Sequence, residues 1–202
     1  LIEVTGKFGL GSFDYSLLSH LLSVKRPYKD VIVNLNKMSD NLSAEMTILA
    51  LSEKYFSLPA STEKGLKLVD SLILAAGFRS NNYRIVDGSG VSHYNLLSAE
   101  LTLGVLKLFY YKYPELHQIL ENSFPFAGID GTLRNRMKSS AAQNKVKAKT
   151  GTFSGVSTLS GYAYAQNGEV FAFSIYIQNH YKKSQRVHEI QNKICEILAS
   201  YK

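Results

Sequence analysis

The chain lacks the residues that cross-link small domains. Its 202 residues include a single cysteine, Cys195, which excludes an internal disulfide. Because Cys195 lies among apolar residues at helical spacing, we interpret it as a small buried hydrophobic side chain; those residues are Val187, Ile190, Ile194 and Leu198. The five histidines have neither i, i+4 spacing nor cysteine partners at zinc-finger spacing, which argues against a metal site.

Long hydrophobic runs are also missing. No apolar run approaches the ~20 residues of a membrane-spanning helix, and no charged-then-apolar leader opens the chain. Since the chain begins at Leu1 rather than methionine, we interpret it as a processed product or a fragment, and the location of the parent protein stays open. Its length and 45% apolar content suit one compact domain without repeats or low-complexity tracts.

Positive charge is in excess, but it is scattered. Lysine and arginine number 23 against 16 acidic residues, a net charge of +7, which favours anionic surroundings such as a cell-wall polymer, lipid head groups or nucleic acid. Aromatic residues do not interleave with the basic clusters, so we expect no nucleic-acid partner and place most lysines on a solvated surface. The clusters are Lys145, Lys147 and Lys149, then Lys182, Lys183 and Arg186.

Hydrophobic spacing predicts mainly helices in the first two thirds of the chain, then consecutive strands, and a final helix at the end. Ser39-Asp40-Asn41 lies in the joint between the first two helices. The predicted helices cover residues 28–38, 42–51, 61–77, 98–113, 115–120 and 184–201. The predicted strands cover residues 2–5, 83–86, 146–150, 157–165 and 170–177, with a turn at 87–90 and a type I′ hairpin signal at Asn167-Gly168. This order predicts an α+β fold, an antiparallel sheet flanked by helices.

Lys149-Thr150-Gly151-Thr152 ends the first of the late strands. The Lys149 ammonium could favour an anionic substrate group or bias the protonation of a nearby hydroxyl. Gly151, without a side chain, would let a substrate or nucleophile approach the backbone, and the two threonine hydroxyls could bind a terminal carboxylate. The alternative is an ordinary edge strand with a basic end.

Ser39-Asp40-Asn41 has two polar side chains spaced by two residues, which could point into one cleft. The Ser39 hydroxyl could relay a proton to a leaving amine, and the Asn41 amide offers a donor and an acceptor to a peptide. The alternative is a helix N-cap, since serine, aspartate and asparagine are the usual capping residues.

Four sequence blocks extend these two motifs. In chain order they are SDNLSAE at 39–45, VDGSGVS at 86–92, GIDGTLRNR at 128–136 and KAKTGTFSGVS at 147–157. Together they resemble the D-alanyl-D-alanine carboxypeptidase/endopeptidase family, the class C low-molecular-mass penicillin-binding proteins. The resemblance implies a penicillin-binding/serine β-lactamase-like transpeptidase fold, of which residues 16–202 form the C-terminal part and residues 1–15 the tail of an inserted region.

The resemblance also implies an activity and residue roles. It implies an exported, periplasmic or extracytoplasmic serine acyl-transfer enzyme that cleaves D-Ala-D-Ala termini of peptidoglycan, binds β-lactam antibiotics and uses no cofactor. Ser39 and Asn41 would be the proton-relay and substrate-amide contacts, and Lys149 the electrostatic partner. Thr150, Gly151 and Thr152 would bind substrate, with the Thr152 N–H as one arm of the oxyanion hole. Asp87, Gly88 and residues 128–136 would be scaffold.

The family's Ser-x-x-Lys nucleophile motif is not found ahead of Ser39. The chain's one such spacing, Ser61-Thr62-Glu63-Lys64, follows Ser39 and sits at a predicted helix cap, so we reject it as the nucleophile. We expect a preceding segment of the same protein to supply the serine. Two alternatives stay open, a non-catalytic peptidoglycan-binding homologue and coincidental motifs in an unrelated basic domain. Peripheral membrane association is left open as well.

Overall fold

The computed structural model describes residues 24–56, 58–181 and 184–202. Its helices are α1 (Tyr28–Met38), α2 (Asn41–Tyr55), α3 (Thr62–Ala75), α4 (Ala99–Lys112), α5 (Pro114–Ser123) and α6 (Ser184–Ser200). Its strands are β1 (Val146–Phe153), β2 (Val156–Tyr164) and β3 (Val170–Gln178), and short 3₁₀ turns cover Ser80–Asn82 and Gly131–Leu133. None of the described helices has the length and apolar character needed to cross a membrane.

The three strands form one antiparallel sheet in the order β1-β2-β3, as the order of the predicted elements indicated. Lys149 on β1 lies opposite Ser160 on β2, and this register fixes which residues share a face. One face packs with α6 into the main apolar core, which includes Val146, Ala148 and Leu159. The opposite face lies against α4 and α5. The fold is therefore the predicted α+β arrangement.

The joint between α1 and α2 is a sharp turn, as predicted. Ser39 ends α1 in the left-handed region, at φ 56° and ψ 51°, and its N–H bonds back to the Leu35 carbonyl. Asp40 then caps α2 by accepting from the Leu42 N–H at 3.1 Å. A hydrogen bond from the Ser43 hydroxyl at 2.6 Å is the main reason that the pKa of Asp40 lies below its usual value.

Two predictions differ from the structure, the strand at residues 83–86 and the type I′ turn at Asn167-Gly168. Residues 83–86 form no strand, only an isolated bridge between Arg84 and Leu96, and beyond this bridge side chains rather than a second strand accept from the backbone. Asn95 Oδ1 accepts from the Val86 N–H at 2.8 Å, and Asp87 Oδ1 accepts from the Gly90 N–H at 2.6 Å. The predicted strand at 2–5 and the inserted tail at 1–15 lie outside the described residues.

The hairpin between β2 and β3 exists, but its turn is not type I′. That turn needs positive φ at both central residues, whereas only Gly168 of the Asn167-Gly168 pair has it, at 88°. The Gly168 N–H bonds back to the Ala165 carbonyl at 3.3 Å. The loop is therefore one residue longer than predicted, a turn over residues 165–168 whose last residue is the left-handed Gly168.

The outer edge of β1 is covered along only part of its length. The Ala127 N–H donates to the Val146 carbonyl at 2.9 Å, and the Ala148 N–H donates to the Pro125 carbonyl at 3.1 Å. Because backbone groups on a strand alternate with period two, those of Thr150 and Thr152 point out along the same edge, beyond the covered stretch. This part of the edge is where the second half of the Lys-Thr-Gly-Thr motif lies.

Candidate active site

Lys149 and Ser39 are brought together from positions 110 residues apart. Lys149 Nζ donates to Ser39 Oγ at 2.8 Å and to the Thr150 carbonyl oxygen at 2.8 Å. The β1 strand fixes the lysine, and the left-handed turn after α1 fixes the serine. Burial disfavours the charged ammonium and lowers the pKa of Lys149. Lys149 thus directs a charged donor at the oxygen of the Ser39 hydroxyl.

Asn41 opens α2 on the same turn as Ser39. Its side chain is exposed, as is that of Ser39, while Asp40 between them makes the capping hydrogen bond. The N-cap alternative therefore applies to Asp40, and it leaves the Ser39 and Asn41 side chains exposed. The groove is the space between this turn, where Ser39 contacts Lys149, and residues Lys149–Thr152 of β1. A catalytic role for either residue stays a prediction.

The threonines of the motif differ in their surroundings. Thr150 Oγ1 donates to Thr132 Oγ1 at 2.8 Å, in the turn of residues 131–133, whereas the Thr152 side chain is exposed. The side chain that comes closest to Gly151 is Thr158 on β2, where an added Cβ would collide with Thr158 Oγ1. A side chain at position 151 would therefore displace the Thr158 hydroxyl, a packing reason for glycine that the sequence did not suggest.

Lysines near the groove differ in whether a carboxylate neutralises them. Lys147, two residues before Lys149 on the same face of β1, forms an ion pair of 2.7 Å with Glu121 of α5. Lys37 of α1 pairs with Asp130. Among the described residues, no carboxylate lies within the 4.0 Å of an ion pair from Lys149. The ammonium of Lys149 is thus the one of these three that can serve an incoming anion.

The four sequence blocks hold one another in place. Glu45, in the first block, accepts from the backbone N–H groups of Gly88 and Ser89 in the second, at 3.3 and 2.9 Å. A Cβ at Gly88 would lie 2.8 Å from the Ala44 carbonyl oxygen. Sequence reasoning treated the second and third blocks as scaffold without partners. It missed Glu45 and Thr132, and the only signal available for either was membership of a block.

Ser61 and Lys64 are used in the local structure of α3. Ser61 Oγ caps the helix by accepting from the Lys64 N–H at 3.3 Å, and Lys64 Nζ donates to the Pro59 carbonyl at 2.9 Å. This is the predicted helix cap. Across residues 24–56, 58–181 and 184–202, no group of three histidine, cysteine, aspartate or glutamate side chains could hold a metal ion.

Sequence comparison identifies relatives with a common description. A model of the D-Ala-D-Ala carboxypeptidase 3 (S13) family matches residues 2–201. The D-alanyl-D-alanine carboxypeptidase DacB of Haemophilus influenzae is 34% identical over 166 residues, which cover 81% of this chain and 34% of the relative. A D-alanyl-D-alanine carboxypeptidase of an Actinomadura species is 33% identical over 99% of this chain and 38% of its own length. The chain thus spans about a third of the length of these relatives.

Structural comparison gives the same picture. The crystal structure of penicillin binding protein 4 from Haemophilus influenzae superposes with a TM-score of 0.76 and 31% identity, over 85% of this chain and 40% of that one. The TLA-3 extended-spectrum β-lactamase matches with a TM-score of 0.62 at 20% identity, over 85% of this chain and 63% of that one, a likeness of fold alone. The three-stranded sheet and its helices are therefore part of a penicillin-binding/serine β-lactamase-like fold.

Proposed function

Since the chain belongs to the D-Ala-D-Ala carboxypeptidase 3 family, we propose that it is the C-terminal part of a serine-type D,D-peptidase. The complete protein acts on peptidoglycan stem peptides outside the cytoplasmic membrane and is acylated by β-lactam antibiotics. The observation that carries this proposal is the 2.8 Å contact between Lys149 Nζ and Ser39 Oγ beside the uncovered edge of β1. These two groups come from the two motifs that the sequence analysis singled out.

The reaction transfers an acyl group twice. A serine hydroxyl, supplied by a segment of the same protein outside this chain, attacks the carbonyl of the penultimate D-alanine. The bond to the terminal D-alanine breaks, and the proton of the attacking hydroxyl ends on the leaving amine. Water then hydrolyses the ester, which restores the serine and releases the shortened peptide as a carboxylic acid. Endopeptidase cleavage of cross-links follows the same steps with a different leaving amine.

The residues of this chain serve the first transfer. Ser39 relays the proton toward the leaving amine, and the Lys149 ammonium, 2.8 Å away, keeps the hydroxyl oriented. The Asn41 amide binds the peptide backbone of the substrate. The Thr152 N–H, on the uncovered edge of β1, donates to the oxygen that becomes negative during attack. That edge geometry supports the role, because the Ala148 N–H of the same edge already donates to a carbonyl.

Carboxylate binding falls mainly to one of the two threonines. The proton of the Thr150 hydroxyl is engaged by Thr132 at 2.8 Å, so Thr150 must rotate before it can donate to a substrate. The exposed Thr152 hydroxyl needs no such change. The ammonium of Lys149 adds charge attraction for the terminal carboxylate of the substrate.

The edge of β3 away from β2 offers a place for the segment that supplies the nucleophile. In the described part of the chain, β3 carries no strand on the side away from β2, and its backbone groups there need partners. Residues of β3 are half-buried along most of their length. We therefore assign that edge to the segment that also supplies the nucleophile.

The test is covalent labelling of the complete protein with a fluorescent penicillin, followed by mapping of the labelled peptide. We expect one adduct, on a serine encoded upstream of Leu1, and release of D-alanine from a peptide ending in D-Ala-D-Ala. Ser39→Ala should slow labelling strongly. The matched control is Ser71→Ala, which removes an exposed serine hydroxyl on α3 that donates to the Lys67 carbonyl at 2.9 Å.

Two outcomes would reject the proposal. An adduct on Ser61 would show that the rejected Ser-x-x-Lys spacing is the nucleophile after all. Absence of any adduct, in a protein that still binds peptidoglycan, would favour the non-catalytic wall-binding homologue.

A further inference from the structure

We infer that Lys37 and Asp130 form a positioning pair that holds Ser39 at its working distance from Lys149. This inference rests on the proposed function, since it concerns the same groove. Lys37 lies in the last turn of α1, two residues before Ser39, and its ammonium pairs with Asp130 Oδ2. Asp130 lies two residues before Thr132 in the turn that reaches β1. The pair therefore links the Ser39 side of the groove to the β1 side.

The contacts close into a ring. Thr132 bonds to Thr150 at 2.8 Å, Thr150 is the neighbour of Lys149, and Lys149 bonds to Ser39 at 2.8 Å. From Ser39 the backbone of α1 leads back to Lys37. Because every link in a ring restrains the others, loss of the ion pair removes the one charged side-chain link between the end of α1 and the turn of residues 131–133, and leaves only their packing and the contact between Ser39 and Lys149.

Asp130 is itself held in place on the β1 side. Its Oδ1 accepts from the Phe126 N–H at 2.8 Å, and Phe126 forms a bridge to Lys147 on β1. The Lys37 ammonium also lies 4.2 Å from the centre of the Phe126 ring, within the range of a cation–π contact. One carboxylate thus fixes both the lysine and the segment that covers the first half of the β1 edge.

Gly131 shows how closely the turn approaches the helix. An added Cβ would lie 2.7 Å from the Lys37 carbonyl oxygen, and the residue has a φ of 52°. The turn therefore packs directly on the end of α1, where Ser39 begins the joint. A different contact, from Asn36 Nδ2 to Ser123 Oγ at 2.6 Å, anchors α1 to α5 instead of to the turn of residues 131–133.

A gain in stability does not by itself explain the ion pair between Lys37 and Asp130. Its side chains are 19% and 32% exposed, and ion pairs that water still reaches contribute little to stability. Displacing a reacting group by about 1 Å, in contrast, can slow a reaction about a hundredfold. A positioning role and a structural role therefore predict different ratios of rate loss to stability loss.

The experiment uses the complete protein with Lys37→Met, Asp130→Asn and the double variant. The asparagine oxygen can still accept from the Phe126 N–H, but the amide NH₂ group takes the place of Oδ2 and cannot accept from the Lys37 ammonium. We expect the acylation rate constant at saturating fluorescent penicillin to fall about tenfold or more in each single variant. The penicillin concentration at half-saturation should change by less than about twofold, because binding contacts remain. The double variant should be no slower than either single one, since both break the same link.

Two further variants separate positioning from structure. Lys37→Arg keeps a cation for Asp130 and should restore the rate to within about threefold of the wild type. Ser123→Ala removes the α5 anchor instead, and it should lower the melting temperature without lowering the rate constant of the folded enzyme. Wild-type rates in both single variants, or a rate loss in Ser123→Ala as large as theirs, would overturn the inference.

A crystal structure of the Asp130→Asn variant gives a readout independent of acylation. We expect the distance from Lys149 Nζ to Ser39 Oγ to exceed hydrogen-bonding range; an unchanged contact would overturn the inference even if the rate had fallen. Failure of the proposed function looks different, because then the wild type itself acquires no penicillin adduct.

Discussion

The two faces of the same three strands are built on different principles. The face toward α6 is apolar, and its central residues Val146, Ala148, Leu159 and Ala163 are fully buried. The face toward α4 and α5 carries polar atoms with individual partners. Tyr162, also fully buried, donates its hydroxyl to the Leu106 carbonyl at 2.7 Å. The face toward α6 therefore gains stability mainly from buried apolar area, while the other face combines a smaller apolar cluster around Leu106, Phe124 and Tyr162 with polar atoms held by individual partners.

The candidate site lies where the polar face reaches the uncovered edge of β1. Lys147 and Lys149 both belong to this face, at the spacing of alternate strand residues. Lys147 is neutralised by Glu121, while Lys149, two residues further along β1 toward the uncovered part of its edge, bonds to the Ser39 hydroxyl. Because the site and the main core use opposite faces of the sheet, we expect that substitutions can alter one without the other, although both include residues of β1.

The largest effect is expected for Lys149→Ala in the complete protein. Removal of a charged donor from the reacting centre should slow acylation by penicillin about a hundredfold to a thousandfold. Folding should be little affected, because the substitution also removes a partly buried ammonium whose pKa is lowered by its burial. Stopped-flow labelling and thermal unfolding measure the two quantities. Lys145→Ala, at an exposed lysine just before β1, is the control and should behave as the wild type.

Leu159→Ala should have the opposite profile. Leu159 lies on the α6 face, directly opposite Thr150 in the sheet, and is fully buried. Its truncation should lower the free energy of unfolding by about 2–5 kcal/mol, as for other buried leucines. The folded fraction should acylate at the wild-type rate. Ile197→Ala, at an α6 side chain that is 69% exposed, should cost less than about 0.5 kcal/mol in a denaturant titration. A rate loss in Leu159→Ala would mean that the two faces are not separable.

Glu121→Gln tests the polar face away from its reacting end. Glu121 accepts from Lys147 at 2.7 Å and from the Tyr164 hydroxyl, and its side chain is nearly buried. Loss of the charge should destabilise the protein by about 1–3 kcal/mol, because the Lys147 ammonium keeps its burial but loses its counter-charge. The comparison is Glu63→Gln, in an exposed pair with Lys67 at 4.0 Å, for which denaturant titration should detect less than about 0.5 kcal/mol. Equal losses in the two variants would contradict the expected difference.

The pH dependence of acylation should report Lys149 itself. Burial lowers the pKa of its ammonium, so the proton is lost at a lower pH than in a free lysine, whose pKa is about 10.4. If the charged form is needed, the rate falls as pH rises through the lowered pKa. In Lys149→Arg the guanidinium stays charged, so that decline should disappear from a slower overall profile. A wild-type rate that stays constant up to the free-lysine pKa would show that the ammonium is not required.

Sequence patterns predicted the elements better than the contacts between them. The helix joint at Ser39-Asp40-Asn41 and the cap at Ser61 follow from local chemistry, which neighbouring residues determine, and both are present. Residues 83–86 were misassigned because backbone pairing stops at the single bridge between Arg84 and Leu96, and the Asn95 side chain, rather than a second strand, satisfies the Val86 N–H. A propensity argument gives no access to such side-chain competition.

The candidate site was predictable as far as its motifs, and no further. Serine at a joint and lysine on a strand suggested chemistry, but their hydrogen bond depends on how α1 packs across β1. The contacts of Thr132 and Asp130 could not be predicted for the same reason, because the contacts of a loop residue depend on tertiary structure. Most lysines were expected on a solvated surface; Lys145 is exposed, whereas Lys147 is partly buried. Lys182 and Lys183 lie outside the described residues.

The smallest effect on acylation is expected for substitution of Cys195, which lies in the apolar core between α6 and the sheet. Its thiol is fully buried, as the sequence predicted, and burial raises its pKa to about 12, so the reactive thiolate is scarce at neutral pH. In the native protein the peptide containing Cys195 should stay unmodified by iodoacetamide at pH 8, and denaturant should expose it fully; mass spectrometry distinguishes the two forms. Because no atom of Cys195 reaches the groove, Cys195→Ala should leave acylation unchanged. Rapid alkylation of the native protein would mean that the α6 face opens far more readily than a closely packed core allows, and with it the expectation for Leu159 would fail.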